Sequence, residues 1–234
     1  MARKMMKVAL LLVVVSFVVG SCKKSEPEAA VPEQAPSAEE SSTAEKTAEA
    51  AEKAKRAVED APGVLKEAAG TFTLQDQEGK RVKLADFAGK IVVLEWINPD
   101  CPFVKRHYQA KTMANLADKF RDKGVVWLAV NSTKTYNVDR NKAWHDEYKL
   151  PYPILDDRGG VAGKLYGAQT TPHMFVINRT GKLAYKGAID NDARGNTGDE
   201  VVNYVAAVLE DLVAGKAPRY TETKAYGCSV KYAP

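Results

Sequence analysis

Residues 91–105 read Ile91-Val92-Val93-Leu94-Glu95-Trp96-Ile97-Asn98-Pro99-Asp100-Cys101-Pro102-Phe103-Val104-Lys105. The apolar run Ile91–Trp96 predicts a strand that is covered on both faces, followed by a short polar turn. Pro102 favours the first position of a helix, so Cys101 is predicted to lie at a helix N-terminus. The helix dipole stabilises a thiolate there, which should lower the pKa of Cys101 and make its sulfur nucleophilic. The alternative is an inert buried thiol.

The surrounding sequence alternates strands with helices, which predicts an α/β fold with a mixed central β-sheet flanked by helices. Strands are expected in a hairpin over residues 71–84 and then over Ile91–Trp96, Val125–Asn131, 152–156, 173–178 and Leu183–Gly187. Helices are expected over residues 102–121, 138–149, 160–166 and 199–214. Asp199 is the predicted N-cap of the last helix, and Gly215 is its predicted stop.

The first 22 residues have the pattern of an export signal. Three basic residues precede an apolar run over residues 8–19, which is shorter than the roughly 20 residues that a membrane span needs. The segment ends in Val19-Gly20-Ser21-Cys22, which resembles the bacterial lipobox, so lipidation of Cys22 is expected. The alternative is ordinary cleavage near the same place.

The lipobox resemblance also implies a location. Lys23 and Lys24 follow Cys22, without the aspartate that usually retains a lipoprotein in the inner membrane. We therefore expect a lipid-anchored protein of the bacterial cell envelope on the periplasmic side, in the outer membrane if the cell is Gram-negative.

The remainder of the chain divides into a tether, a folded domain and a tail. Residues 23–66 contain no aromatic side chain and are rich in Ala, Glu, Lys and Pro, which predicts a disordered, partly helical tether. The domain is expected over residues 67–216, with a mobile tail over 217–234. The net charge of +4 includes three basic residues of the signal and falls to about +1 without them. A net charge this close to zero argues against nucleic-acid binding, which requires a strongly basic surface.

The chain has three cysteines, of which Cys101 and Cys228 remain once Cys22 carries lipid. An exported protein meets conditions in which disulfides persist. Cys228 is a candidate resolving cysteine that attacks an oxidised Cys101. The other two interpretations are a permanent structural disulfide with Cys101 and an unpaired thiol.

Three stretches resemble the redoxin branch of the thioredoxin-fold superfamily, the AhpC/TSA family. They are residues 95–105, Thr170-Thr171-Pro172-His173-Met174-Phe175-Val176-Ile177, and residues 181–187. The resemblance implies a thioredoxin-like fold with a cis-proline at Pro172 beside Cys101. Thr171 would then offer backbone hydrogen bonds to a substrate strand. The alternative for Pro172 is an ordinary proline at the start of a strand.

The active-site motif departs from both main branches of the superfamily. Val104 stands where thioredoxins have a second cysteine. Asn98 and Leu94 replace the threonine or serine and the proline that precede a peroxiredoxin cysteine. The chain is more similar to a peroxiredoxin-like group with Cys-Pro-Phe-Val at the site and Gly-Cys-Ser-Val-Lys in the tail.

The resemblance implies a thiol oxidoreductase, whose substrate is a disulfide-containing protein or a peroxide and whose thiol reductant is unidentified, and the lipobox at Cys22 would tether it to a membrane. Cys101 would be the nucleophile and Cys228 the resolving cysteine, supported by Glu95, Trp96, Asn98, Pro102, Thr171 and Pro172. The alternative is a non-enzymatic, partner-binding lipoprotein in which Cys101–Cys228 is a structural staple.

Other polar residues lie near Cys101 and Pro172 in the sequence. Among Lys105, Arg106 and His107, a cation could hold the thiolate, although two of the three should face solvent. Glu95 is either a buried proton acceptor with a raised pKa or a surface carboxylate. His173 is expected to be structural rather than substrate-binding.

No metal or cofactor is expected. Lys105 stands where thioredoxin-fold copper chaperones have their second cysteine, and the acidic pairs near residues 156 and 190 lack EF-hand spacing.

Overall fold

A computed structural model describes residues 69–234. The expected signal, Cys22 and the tether over 23–66 lie outside these residues. Within the described part, no helix combines the length and apolarity that crossing a membrane requires.

Nine strands and five α-helices follow one another along this part of the chain. The strands are β1 Thr73–Gln75, β2 Arg81–Lys83, β3 Ile91–Trp96, β4 Val125–Asn131, β5 Ile154–Asp156, β6 Thr170–Thr171, β7 His173–Ile177, β8 Leu183–Gly187 and β9 Cys228–Ser229. The helices are α1 Pro102–Gln109, α2 Thr112–Arg121, α3 Val138–Tyr148, α4 Val161–Tyr166 and α5 Tyr204–Val213, with short 3-10 helices at Leu84–Phe87 and Gly198–Glu200.

Seven strands form one mixed sheet in the order β2-β1-β5-β4-β3-β7-β8. Strand β3 is central, parallel to β4 and antiparallel to β7. All six of its residues are buried, as its continuous apolar sequence predicts for a strand covered on both faces. The expected thioredoxin-like fold, a mixed sheet flanked by helices, is confirmed.

The alternation of side chains along β3 separates two cores. Ile91 and Val93 belong to the cluster that also contains Cys101 and buried residues of α1, α2, α3 and α5. Leu94 and Trp96 point to the opposite face, where they pack with Phe175 and with Ala162 of α4. Cys101 is therefore placed on the face that four helices cover.

The predicted helix over residues 102–121 is wrong as a single element, because it breaks between α1 and α2. Lys111 adopts a left-handed conformation with φ of 55°. Tyr108 and Met113 are both buried on the same core, yet five helical residues turn through about 500° and would place them on different faces of one helix. The break brings both side chains into the core.

The last helix begins later than expected. Its N-cap is Asn203, whose side chain accepts a hydrogen bond from Ala206 N at 2.8 Å, and Asp199 lies in the preceding 3-10 helix. Asn191 holds the intervening segment outside the helix, because it accepts from Val202 N at 2.8 Å and its own N–H donates to Val202 O. Gly215 follows the helix with φ of +69°, so the predicted stop is confirmed.

Residues 217–234, which we call the C-terminal strap, pack against the domain. Near β8, Lys186 N donates to Thr221 O, and Thr223 N donates to Lys186 O. Further along, β9 pairs with β6 in an antiparallel ladder. The strap ends with the Tyr232 hydroxyl donating to Ala168 O at 2.8 Å. It thus crosses the molecule and passes over the end of β3.

Candidate active site

Cys101 is the N-cap of α1, and Pro102 is the first residue of that helix. The turn before it is closed by two hydrogen bonds at Asn98, whose backbone oxygen accepts from Cys101 N and whose side-chain oxygen accepts from Asp100 N, each at 2.9 Å. The local signals in the sequence, an Asx residue and a proline, therefore place the cysteine as predicted. The side-chain oxygen of Asn98 stabilises this turn.

The peptide bond between Thr171 and Pro172 is cis, as expected. Thr171 is fully buried beside Cys101, and the Cys101 thiol donates a hydrogen bond to the Thr171 carbonyl oxygen at 3.0 Å. Cys101 itself is only 1% exposed. The structure thus brings together the cysteine and the cis-proline segment that lie some 70 residues apart in the sequence.

Cys228 completes this arrangement from the C-terminal strap. It is the register partner of Thr171 in the β6–β9 ladder, and the Thr171 hydroxyl donates to its carbonyl oxygen at 3.4 Å. Both cysteines are free thiols, Cys101 buried and Cys228 half-buried.

The two thiols have opposite pKa shifts. Burial raises the pKa of Cys101, but hydrogen bonds from the Cys228 thiol, the Val104 backbone N–H and Thr171 outweigh it, so the net pKa is lowered. Burial and the neighbouring Cys101 raise the pKa of Cys228 to about 11. Cys101 is therefore the group that ionises first, and Cys228 stays protonated and donates to the thiolate.

A polar network anchors the strap just before Cys228. The Tyr226 hydroxyl donates to Asp190 Oδ1 at 2.5 Å and lies 2.9 Å from His107 Nε2. Burial lowers the pKa of His107, which keeps the imidazole neutral and able to donate to the tyrosine oxygen. Arg106 extends the network by donating to the carbonyl oxygens of Asp192 and Ala193 at 2.5 and 3.2 Å.

This network corrects the expectation that two of the three residues after Val104 face solvent. Lys105 is exposed, whereas His107 is buried and Arg106 is half-buried. Arg106 and His107 contact the strap and the loop after β8, so these two residues position the strap.

Glu95 is completely buried on the Cys101 side of the sheet, which excludes the surface alternative. Its Oε2 accepts from Trp127 Nε1 at 2.8 Å and from the Tyr152 hydroxyl at 3.4 Å, while Oε1 has no partner. Burial raises the pKa of Glu95 to about 7, against the lowering effect of these hydrogen bonds. A carboxyl group with this pKa can take up or release a proton near neutral pH.

Trp96, one of the predicted supporting residues, lies away from Cys101, and so does His173. Trp96 faces the opposite core, where its Nε1 donates to Ser132 Oγ at 3.0 Å. His173 faces the same side and accepts from Gln169 N at 3.2 Å, and burial lowers its pKa to about 4. Both are structural here, as was expected of His173.

Acidic side chains near residues 156 and 190 accept hydrogen bonds from nearby backbone N–H groups, as expected of loop residues. Asp157 accepts from the backbone N–H groups of Ala162 and Gly163, and Asp192 accepts from those of Asn196 and Thr197. Across residues 69–234, no group of three or more His, Cys, Asp or Glu side chains is placed to hold a metal ion.

Comparison with known proteins agrees with this geometry. The model of the AhpC/TSA family matches residues 65–186, which is more than half of the chain. The chain belongs to the AhpC/TSA family. The matched region contains Cys101 and Pro172 but ends before the strap, so Cys228 lies outside it.

Curated relatives include proteins with two different names. The chain is 32% identical over 115 residues to the thiol-disulfide oxidoreductase ResA of Bacillus thuringiensis subsp. konkukian, covering 49% of this chain and 64% of the relative. It is 33% identical over 124 residues to the chloroplastic peroxiredoxin Q of Suaeda salsa, covering 49% and 56% respectively. The chain therefore spans less than two thirds of the length of these relatives.

Solved structures match a larger share of the chain. An uncharacterized conserved protein from Geobacillus kaustophilus is 30% identical with a TM-score of 0.66, covering 72% of this chain and 92% of that one. A hypothetical protein from Sinorhizobium meliloti is 28% identical with a TM-score of 0.64, covering 71% and 93%. Both similarities agree with the fold described above, and the names of these two proteins state no activity.

Tyr226 and Asp190, which hold the strap together with His107, were not among the site residues that the sequence predicts. A weak signal was present, since Tyr226 is an aromatic residue two positions before Cys228 in an otherwise polar segment. Tyr226 lies 119 residues from His107 and 36 residues from Asp190 in the sequence. No local sequence pattern could therefore reveal these contacts.

Proposed function

We propose that the chain is a thiol oxidoreductase in which Cys101 is the redox nucleophile and Cys228 is the resolving cysteine. The observation that carries this proposal is the pairing of Thr171 with Cys228 beside Cys101: the Cys101 thiol donates to the Thr171 carbonyl oxygen, and the Cys228 thiol is within hydrogen-bonding reach of the Cys101 sulfur. Their opposite pKa shifts support the roles, because the Cys101 thiolate attacks first, whereas Cys228 stays protonated until it gives up its proton in the second, resolving step. The relatives named thiol-disulfide oxidoreductase and peroxiredoxin fit both substrate classes.

Two first steps fit this site. With a disulfide, the Cys101 thiolate attacks one sulfur, the S–S bond breaks, and a mixed disulfide forms with release of a thiolate. With a hydroperoxide, the thiolate attacks oxygen, the O–O bond breaks, and Cys101 becomes a sulfenic acid while an alcohol or water leaves. In both cases Cys228 then attacks the Cys101 sulfur and an internal disulfide forms, with release of the second thiol or of water. An external thiol reductant restores the two thiols.

Glu95 is proposed as the proton acceptor on the buried side of Cys101. Its hydrogen-bond partners Trp127 and Tyr152 belong to the same core cluster as Cys101, and its raised pKa lets it exchange a proton near neutral pH. Pro102, Thr171 and Pro172 shape the surroundings of the sulfur, and Asn98 holds the turn that precedes it.

A stoichiometric pulse of hydrogen peroxide tests the proposal. We expect the reduced full-length chain to lose two hydrogen atoms in non-reducing mass spectrometry, with peptide mapping that joins Cys101 to Cys228. Cys228→Ser should stop the reaction at a sulfenic acid on Cys101, because the second thiol is missing. Absence of both products after the pulse and after a disulfide oxidant would contradict the proposal.

The reduction potential of the pair separates this function from the non-enzymatic alternative. A structural staple should lie below about −300 mV and resist a glutathione buffer, whereas a catalytic pair should equilibrate with it. We expect equilibration, because Cys228 is half-exposed and accessible to a reductant.

We propose in addition that the protein is exported and lipid-anchored through Cys22, with the outer membrane favoured in a Gram-negative cell. The signal pattern over residues 1–22 and the sequence Val19-Gly20-Ser21-Cys22 support this. Metabolic labelling with a radioactive fatty acid should mark the wild-type chain and fail to mark Cys22→Ala. Equal labelling of the two would exclude Cys22 as the acylated residue.

A further inference from the structure

The edge of β6 is the place where an extended strand can reach Cys101. Thr171 presents its carbonyl oxygen to the Cys101 thiol at 3.0 Å, and β6 has its own partner strand outside the seven-stranded sheet. A polypeptide that adds a strand to such an edge gains backbone hydrogen bonds and places alternate side chains in register. In this chain the added strand is its own β9, with Cys228 opposite Thr171.

We propose that residues 227–229 act as a built-in substrate strand, which excludes polypeptide disulfides from Cys101 and restricts the first oxidation step to small-molecule oxidants. This inference rests on the proposed function and names its substrate class. Cys228 occupies the position that the cysteine of a docked peptide would need. An external peptide can take that position only after the strap has left it.

The close fit at Gly227 supports this inference. Gly227 has φ of +130°, and a Cβ there would overlap the carbonyl oxygen of Thr171. The strap backbone therefore lies directly on the backbone of the cis-proline segment. No space for a second strand is left between them.

The strap is also fastened on both sides of Cys228. Upstream, Tyr226 is held by Asp190 and His107. Downstream, Val230 N donates to Gln169 O at 3.0 Å, and the ring of Tyr232 packs where a Cβ on Gly160 would come within 2.8 Å of it. A polypeptide must break contacts at both ends to gain the edge, whereas a small molecule needs only a local opening.

The burial of Cys101 limits the size of the oxidant that can reach its sulfur. Cys101 is 1% exposed with the strap in place. Exchange with a polypeptide disulfide requires an incoming sulfur in line with the Cys101 sulfur. The polypeptide chain on both sides of that incoming sulfur must fit beside Cys101 as well. A hydroperoxide brings only two reacting oxygen atoms, and the O–O bond is cleaved as described above, with Cys228 already beside the product sulfenic acid.

The test compares three oxidants on the reduced full-length chain, with Cys101 modification read by peptide mapping so that Cys22 does not interfere. They are hydrogen peroxide, free cysteine carried as a mixed disulfide with thionitrobenzoate, and a linear peptide whose single cysteine carries the same leaving group. Because the last two share their chemistry, the ratio of their rates measures exclusion by size alone. We expect the peptide to react at least about tenfold more slowly than free cysteine, as the loss of one or two strap hydrogen bonds would require.

Gly227→Ala should abolish most of this difference by lifting β9 off Thr171. Gly215→Ala is the matched control, because Gly215 also has positive φ, at +69°, but no atom lies within 4 Å of its Cβ position. Tyr232→Ala releases the far end of the strap and should raise the peptide rate in the same direction, should Gly227→Ala fail to fold.

The possible results separate the two proposals. Equal rates for the peptide and free cysteine on the wild-type chain overturn the built-in strand and leave the proposed function standing. Absence of any reaction at Cys101 with all three oxidants overturns the proposed function itself. A slow peptide rate that Gly227→Ala and Tyr232→Ala both leave unchanged, while both variants fold, also overturns the role of the strap.

Discussion

Replacing Cys101 by serine is expected to lower turnover of peroxide or disulfide by about a thousandfold or more, as losses of catalytic nucleophiles do. A hydroxyl at the start of α1 remains protonated at neutral pH, whereas the lowered pKa of Cys101 makes a thiolate available there. Serine preserves the size of the side chain and can still donate to the Thr171 carbonyl. The fold, followed by circular dichroism and thermal unfolding, should change little.

The matched control for this variant is Cys228→Ser. It retains the nucleophile, so it should consume one equivalent of oxidant per chain and then stop, while Cys101→Ser consumes none. Initial rates and total consumption of peroxide, measured together, distinguish the two variants. Full turnover by Cys101→Ser would refute the proposed mechanism.

Glu95 should make the protein less stable as the pH rises from about 5 to about 8. Its ordinary pKa is 4.5, and burial raises the pKa to about 7 in the folded protein. Between these two values the folded chain binds more protons than the unfolded chain, so the stability contributed by the protonated carboxyl is present below pH 4.5 and is lost as pH passes 7. The difference corresponds to roughly 3 kcal/mol in the free energy of unfolding.

Glu95→Gln should remove this dependence, because an amide stays neutral and can still accept from Trp127. Urea unfolding at several pH values measures the effect, with Glu78→Gln as the exposed-carboxylate control. If the stability of wild type and Glu95→Gln falls in parallel with pH, Glu95 does not titrate in this range. The rate of Cys101 oxidation against pH tests the proton-acceptor role separately, since Glu95→Gln should lose an inflection near pH 7.

The sequence predicts the centre of the site well because its signals there are local. A continuous apolar run, an Asx turn and a proline within 12 residues place Cys101 at the start of α1. The resemblance adds the cis-proline at Pro172, which no property of the residues alone would require.

The remaining features depend on contacts between distant segments. The break after α1 follows from the need to bury Tyr108 and Met113 on one core, and its sequence contains neither glycine nor proline. Asp199 and Asn203 are both suitable caps by residue type, and only the hydrogen bonds of Asn191 to Val202 decide between them. The docking of the strap joins residues 57 positions apart and has no periodic pattern.

The strap follows the rest of the domain along the chain, and this order has a consequence for biogenesis. A polypeptide is made and exported from its N-terminus, so residues 69–216 can assemble before residues 217–234 arrive. During that interval the β6 edge and Cys101 lack the cover that β9 provides in the finished fold. The newly made chain is therefore expected to react with a wider range of oxidants than the folded protein, and docking of residues 217–234 ends that period.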